Sequence, residues 1–328
     1  VAKFKGRWLP AASKRKVGIF SIPGDKVHDP DWKCQDAAVA IAPLDRRETQ
    51  AVFAIFDGHG INGRHASREC MERLPKYLVS AARSGDPASA LRRACSNLHR
   101  DLAKGAAGDC SRSGTTLCAA VLTGRKLTVA NVGDSGCLRV SRATAGTGPT
   151  RSTTLDGPDR MLVGGRGERG PRYAEMPDGE RELGQRLTVE RLSRDHKPER
   201  RGEWERIQAA GGTVFPLPNQ RDGRDGEEMI LPRREELEGA RDSTLVRDFG
   251  SDVPRVWKAG GSGPGLAMSR SIGDKIAHSV GVTHEPEITE FDVDPHSDVM
   301  LILASDGVWD VLSAEDIRKV RSCVELQL

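Results

Sequence analysis

Apolar residues along this chain come in short blocks that end abruptly, and the spacing inside each block separates strands from helices. Residues 37–42 form one short apolar run and 51–56 a second. The second is apolar at consecutive positions, so both of its faces need cover, which predicts a central strand of a buried sheet. Residues 115–122, 126–132 and 136–141 read as three further strands, joined by turns at Gly124-Arg125 and Gly133-Asp134-Ser135. Residues 299–304 read as another.

Helical spacing occupies the gaps. One helix is predicted over 64–82, with Pro75 as a kink. A second is predicted over 87–104. It opens on Pro87 and carries Leu91, Ala94, Leu98 and Leu102 at spacings of three, four and four, a single apolar stripe. A third is predicted over 198–210, stopped by Gly211-Gly212, and Ser313-Ala314-Glu315-Asp316 begins a last one. Periodicity is lost over 142–186 and again over 216–263, which predicts two polar insertions in one domain spanning 1–328. Strands cluster with strands and helices with helices. That order predicts an α+β fold with antiparallel sheets, not a doubly wound parallel one.

Three of the apolar runs end on an Asp beside a Gly: Phe56-Asp57-Gly58, Val132-Gly133-Asp134 and Ser305-Asp306-Gly307, with Asp310 following the last. A strand end is a rigid mount, and the neighbouring Gly admits close approach of backbone or ligand. Carboxylates gathered at one sheet edge repel one another unless a cation sits among them. An all-oxygen donor set suits Mg²⁺ or Mn²⁺ better than zinc. Taken singly, each Asp-Gly is also an ordinary turn. His59, two residues past the first of these Asp, is a candidate proton donor.

Composition narrows the classes further. The chain has 328 residues and a formal net charge of +3, too small for a nucleic-acid-binding signature. No window approaches the roughly 18–20 continuous apolar residues of a membrane span. Seven Cys, an odd number with no C-x-x-C pair, argue against a disulfide framework or zinc cluster and predict a reducing compartment, cytoplasmic or nuclear. Neither G-x-S-x-G nor a phosphate-loop motif occurs.

Six motifs then occur in order: F-D-G-H-G (Phe56 to Gly60), S-G-T-T (Ser113 to Thr116), A-N-V-G-D-S (Ala130 to Ser135), L-S-R-D-H-K-P (Leu192 to Pro198) followed by E…R-I…A-G-G (Glu205 to Gly212), L-A-M-S-R-S-I-G-D (Leu266 to Asp274) and L-A-S-D-G-V-W-D-V-L-S (Leu303 to Ser313). Together they resemble the metal-dependent type 2C protein serine/threonine phosphatases. The resemblance implies two antiparallel β-sheets packed as a sandwich, flanked by helix pairs. It implies hydrolysis of phosphoserine and phosphothreonine in proteins by a water activated at two Mg²⁺ or Mn²⁺ ions, with a third, weaker position. Asp57 and the Gly58 carbonyl would hold metal, as would Asp306. Asp134 and Asp310 match the third position, and Asp36 the residue that holds metal-bound water. His59 would protonate the departing oxygen.

Departures from the pattern qualify that reading. Gln35 stands where the family often has Glu, and Asp31 where a phosphate-binding Arg is usual, leaving Lys33 as the substitute. The family goes on through a further helix, an Asp-Asn motif and closing strands, and residues 313–328 hold no Asp-Asn pair. The expectation is a C-terminally truncated fold. The alternative function is a catalytically impaired, phosphatase-like binding or regulatory module.

Overall fold

The computed structural model describes residues 17–22, 33–42, 50–82, 86–142, 187–216, 253–258, 263–312 and 316–317. Much of both predicted insertions, together with Asp31 and residues 313–315, lies outside the described residues.

The main sheet contains β1 (Ala37–Ile41), β2 (Gln50–Phe56), β5 (Leu117–Thr123), β6 (Lys126–Val132) and β13 (Glu287–Asp292), in the order β1-β2-β5-β6-β13. Every pairing in it is antiparallel. Alternation decides which face each residue serves. On β5, Leu117, Ala119 and Val121 pack toward the helices, while Cys118 and Ala120 pack toward the second sheet. Both faces are therefore covered, as the continuous apolar runs require.

Helices α1 (Gly63–Ala82) and α2 (Pro87–Ala103) cover the first face. Helix α2 starts where the sequence marks it. Pro87 opens it, and the Asp86 side chain caps it by accepting the Ala88 N–H at 3.0 Å. Its stripe of Leu91, Ala94, Leu98 and Leu102 is buried against β2, β5 and β6. Truncating one of these leucines to Ala costs about 2–5 kcal/mol. Pro75 lies inside α1, which continues to Ala82.

The second sheet, β14-β7-β8, is built from β7 (Gly136–Arg142), β8 (Leu187–Arg191) and β14 (Asp298–Ala304). Its inner face meets the main sheet through Cys137, Leu301 and Leu303, and its outer face packs on Trp309 and Ile317. The result is the expected α+β sandwich.

A third sheet joins β9 (Gly212–Pro216), β10 (Pro254–Lys258) and β11 (Pro264–Leu266) to α3 (Arg201–Ala209) and the short α4 (Lys275–His278) around Ile207, Val214, Val256 and Val280. Here the structure corrects the sequence reading: β10 lies inside the stretch expected to be a polar insertion. Val256 is buried, and Trp257 stacks on Phe215 at 5.1 Å and donates its indole N–H to the Phe215 carbonyl at 2.9 Å. One buried apolar position in five leaves no period to detect.

Candidate active site

A fourth, very small sheet sets up the chemistry. It consists of β3 (Gly58–His59), β4 (Gly114–Thr115) and β12 (Ile272–Gly273), in the order β12-β4-β3. Pairing of Gly58 with Thr115, and of Thr115 with Ile272, brings the F-D-G-H-G, S-G-T-T and S-I-G-D segments side by side. The small residues here are a packing requirement. A Cβ on Gly114 would land on Asp274 Oδ2, and one on Gly58 would enter the Gly63 backbone.

Asp57 is fixed from both sides by this arrangement. Its N–H donates to Thr116 Oγ1 at 2.9 Å, and its carbonyl accepts the Thr116 N–H at 2.9 Å and the Thr115 hydroxyl at 3.1 Å. Its carboxyl lies beside that of Asp306, the first residue of α5 (Asp306–Trp309). Burial first, then the charges of Asp36, Asp306 and Asp134, push the Asp57 carboxyl up to about 9. Burial and the Asp134 and Asp310 charges also raise Asp306. Asp36 is held by the Ser305 hydroxyl at 2.8 Å, tying the start of β1 to the start of α5.

Asp134 follows Gly133, whose φ of +102° is a conformation that favours Gly. The Gly133 N–H donates to Nδ1 of the fully buried His196 at 3.1 Å, and the other ring nitrogen of His196 lies 3.1 Å from Glu287. One oxygen of Asp134 takes the Lys197 ammonium at 2.6 Å, while its Oδ1 is buried with no protein partner. Burial opposes the Lys197 charge, but Asp134 outweighs it and holds the amine above its ordinary range.

His59 Nε2 lies 2.6 Å from Asp274 Oδ2, and its Nδ1 is buried without a partner. Burial alone would lower the imidazole. The Asp274 carboxylate overcomes it and raises His59 above its usual value, with Asp134 and Asp306 adding to the effect.

Of the residues singled out in the sequence, Asp36, Asp57, Asp134, Asp306 and Asp310 converge electrostatically, with Gly58 on the same small sheet and His59 beside it. Lys33 is exposed, and no contact among the described residues ties it to the cluster. Three participants were missed by sequence reasoning: Asp274, Lys197 and His196. Each sits inside a quoted motif, but none stands at the end of an apolar run, which was the signal used to find carboxylates.

A family model, Protein phosphatase 2C, matches residues 21–154 and 180–326. The chain belongs to the protein phosphatase 2C family. Membership assigns a serine/threonine protein phosphatase and fits a donor set made of carboxylates. Among similar 2C phosphatases is Probable protein phosphatase 2C 35 of Arabidopsis thaliana, 28% identical over 91% of this chain and 71% of its own length. Probable protein phosphatase 2C 61 of the same plant is 30% identical over 87% of this chain and 68% of its own length. Probable protein phosphatase 2C 64 of Oryza sativa subsp. japonica is 28% identical over 86% of this chain, which spans only 52% of that relative. Among solved structures, the serine-threonine phosphatase 2C from Toxoplasma gondii superposes with a TM-score of 0.58 at 21% identity, over 90% of this chain and 80% of that one. That likeness speaks for the 2C fold.

Proposed function

We propose that this chain hydrolyses phosphoserine and phosphothreonine monoesters of proteins at a centre of two hard divalent cations, Mg²⁺ or Mn²⁺, with a third, weaker position. The observation that carries the reading is the meeting of the Asp57 and Asp306 carboxyls. Burial, together with the charges of Asp36, Asp306 and Asp134, pushes the Asp57 carboxyl up to about 9, an environment suited to a bound positive charge. Asp57 and Asp306 would hold the ions together with the Gly58 carbonyl, with Asp134, Asp310 and Asp36 at the margin. The buried, unpartnered Asp134 Oδ1 fits such a role. When bound, the ions supply Lewis-acid charge for the phosphoryl group and an acidified water.

The chain's own residues do the rest. His59 serves as the general acid. Its Nε2 is engaged by Asp274, so Nδ1, buried and unpartnered, is the nitrogen free to pass a proton to the departing Ser or Thr oxygen. Asp274 favours the charged ring against burial and orients it through the 2.6 Å contact. Lys33 is the ammonium group left to the phosphate, since that of Lys197 is paired with Asp134 at 2.6 Å. A second reading, an impaired module that binds phosphoproteins without turnover, draws its support from the exposed position of Lys33.

The test is Mn²⁺-dependent hydrolysis of p-nitrophenyl phosphate and of a phosphothreonine peptide by the wild type, Asp57→Asn and Asp306→Asn. The enzyme reading expects losses of at least about 100-fold in both variants. Variants as active as the wild type would overturn it. Phosphopeptide binding without turnover in the wild type would favour the second reading.

A further inference from the structure

Three imidazoles gather on the far side of β12 from His59. His99 comes from α2, His278 ends α4, and His284 lies just past the Arg270–Thr283 bridge. One ring nitrogen from each lies within 4.8 Å of the other two. The ring centres form a triangle of 4.1 Å (His99 to His278), 4.3 Å (His99 to His284) and 5.6 Å (His278 to His284). All three side chains are half-buried, so solvent reaches them. We propose that His99, His278 and His284 form a binding site for a nitrogen-preferring transition-metal ion of the Zn²⁺ class, separate from the carboxylate centre.

The donor chemistry differs from that of the aspartate cluster. Three imidazoles without a carboxylate select Zn²⁺, Cu²⁺ or Ni²⁺ over Mg²⁺. The hydrogen bonds set the donor atoms. His278 Nε2 donates to the Ser271 carbonyl at 3.1 Å, which leaves its Nδ1 lone pair free. His284 Nδ1 is buried and has no partner, a polar atom that nothing in the protein satisfies. His99 Nδ1 accepts the Gly273 N–H at 3.3 Å, a long bond that an ion could replace. Carbonyl support of a ligating ring, as Ser271 gives His278, is the usual second contact of a metal-bound histidine.

The geometry closes with small movements. At metal–nitrogen bonds of about 2.0–2.1 Å, a tetrahedral ion holds its nitrogens roughly 3.3–3.4 Å apart. Ring rotation must shorten the present spacing and turn the stacked faces edge-on, and His284 lies outside any helix or strand, free to make the larger turn. Three protein ligands leave a fourth position for solvent.

The experiment is equilibrium dialysis of the full chain against Zn²⁺ in millimolar Mg²⁺, with His284→Ala, the His278→Ala/His284→Ala double variant and, as control, His296→Ala at an exposed turn. Expected is one Zn²⁺ per chain retained by the wild type and the control, a Kd weakened at least about tenfold in His284→Ala, and no retention in the double variant. Equal retention in all four proteins, or none in the wild type, would overturn the proposal. A second measurement needs no variant. One equivalent of Cu²⁺ added to the Mg²⁺-loaded wild type should give an electron paramagnetic resonance spectrum with hyperfine splitting from several imidazole nitrogens. A spectrum with oxygen ligands only counts against the site.

Discussion

His59 and Asp274 stand 215 positions apart in the chain, yet their side chains meet at 2.6 Å across the small β12-β4-β3 sheet. The Asp274 side chain is almost fully buried and His59 only partly so, which puts the carboxylate behind the ring as its support.

That pairing sets a pH expectation. A proton donor works while protonated, and Asp274 keeps His59 protonated to higher pH than a free imidazole. The rate on a phosphothreonine peptide should therefore fall as pH rises through a midpoint above 6.5, the ordinary His59 value. In Asp274→Asn that midpoint should move down, with kcat at pH 8 lower by about tenfold or more. p-Nitrophenyl phosphate, whose leaving group needs no proton, should be nearly indifferent. Equal losses on both substrates would remove His59 from the role of acid.

The metal-holding role proposed for Asp57 carries a stability expectation. Its carboxyl is raised in the folded protein, so folding is favoured while it is protonated, and that contribution is lost as pH climbs from about 4 through about 9. In chelator, the melting temperature should decline across that window. Millimolar Mg²⁺ should restore it most at the alkaline end. Asp57→Asn should melt higher than wild type in chelator and respond less to Mg²⁺. Thermal melts at pH 5 and 8, with and without Mg²⁺, check all three statements.

Glu203 holds a separate structural network. Burial would raise its carboxyl, but hydrogen bonds from Arg270 and Arg206 win and hold it far below the usual range. Ser269 adds a hydroxyl donor at 2.6 Å. A depressed carboxyl stabilises the fold above its unfolded value and loses that effect as pH falls below about 4. Glu203→Gln strands two guanidinium groups and should cost about 3 kcal/mol at neutral pH, read by urea unfolding, and should flatten the acid limb of the stability profile.

Two glycine substitutions should go opposite ways. Gly114→Ala drives a methyl onto Asp274 and the Ile272 carbonyl, and should destabilise by about 1–3 kcal/mol while impairing turnover. Gly202→Ala in α3 meets open space and should stabilise by up to about 1 kcal/mol with unchanged activity. Denaturant midpoints and peptide turnover for the pair separate crowding at the site from general intolerance of a Cβ.

The sequence made the sandwich legible where apolar runs were long. Strands β2, β5 and β6, and helices α1 and α2, coincide with predicted segments to within two residues. Strands β8 and β13 escaped because they mix charged and apolar residues, as in Leu187-Thr188-Val189-Glu190-Arg191, and are only partly buried. The two-residue strands β3, β4 and β12 are too short to carry any period. They register only through the pairing that joins distant segments. The same limit explains the site. Asp57, Asp134 and Asp306 end or follow apolar strands and were found, whereas Asp274 follows a two-residue strand in a left-handed conformation (φ 45°) and became visible only through His59.

The bond from Ser305 to Asp36 spans 269 residues and pins one end of the acidic cluster to the other. Contacts of such sequence separation form late and slowly, because the intervening chain must first be ordered. A ribosome-bound intermediate lacking the segment around residue 306 would have its helices and much of its main sheet but no assembled reaction centre. Turnover at this centre should therefore begin only once most of the chain has been made, and neither half of the chain expressed alone should turn over substrate.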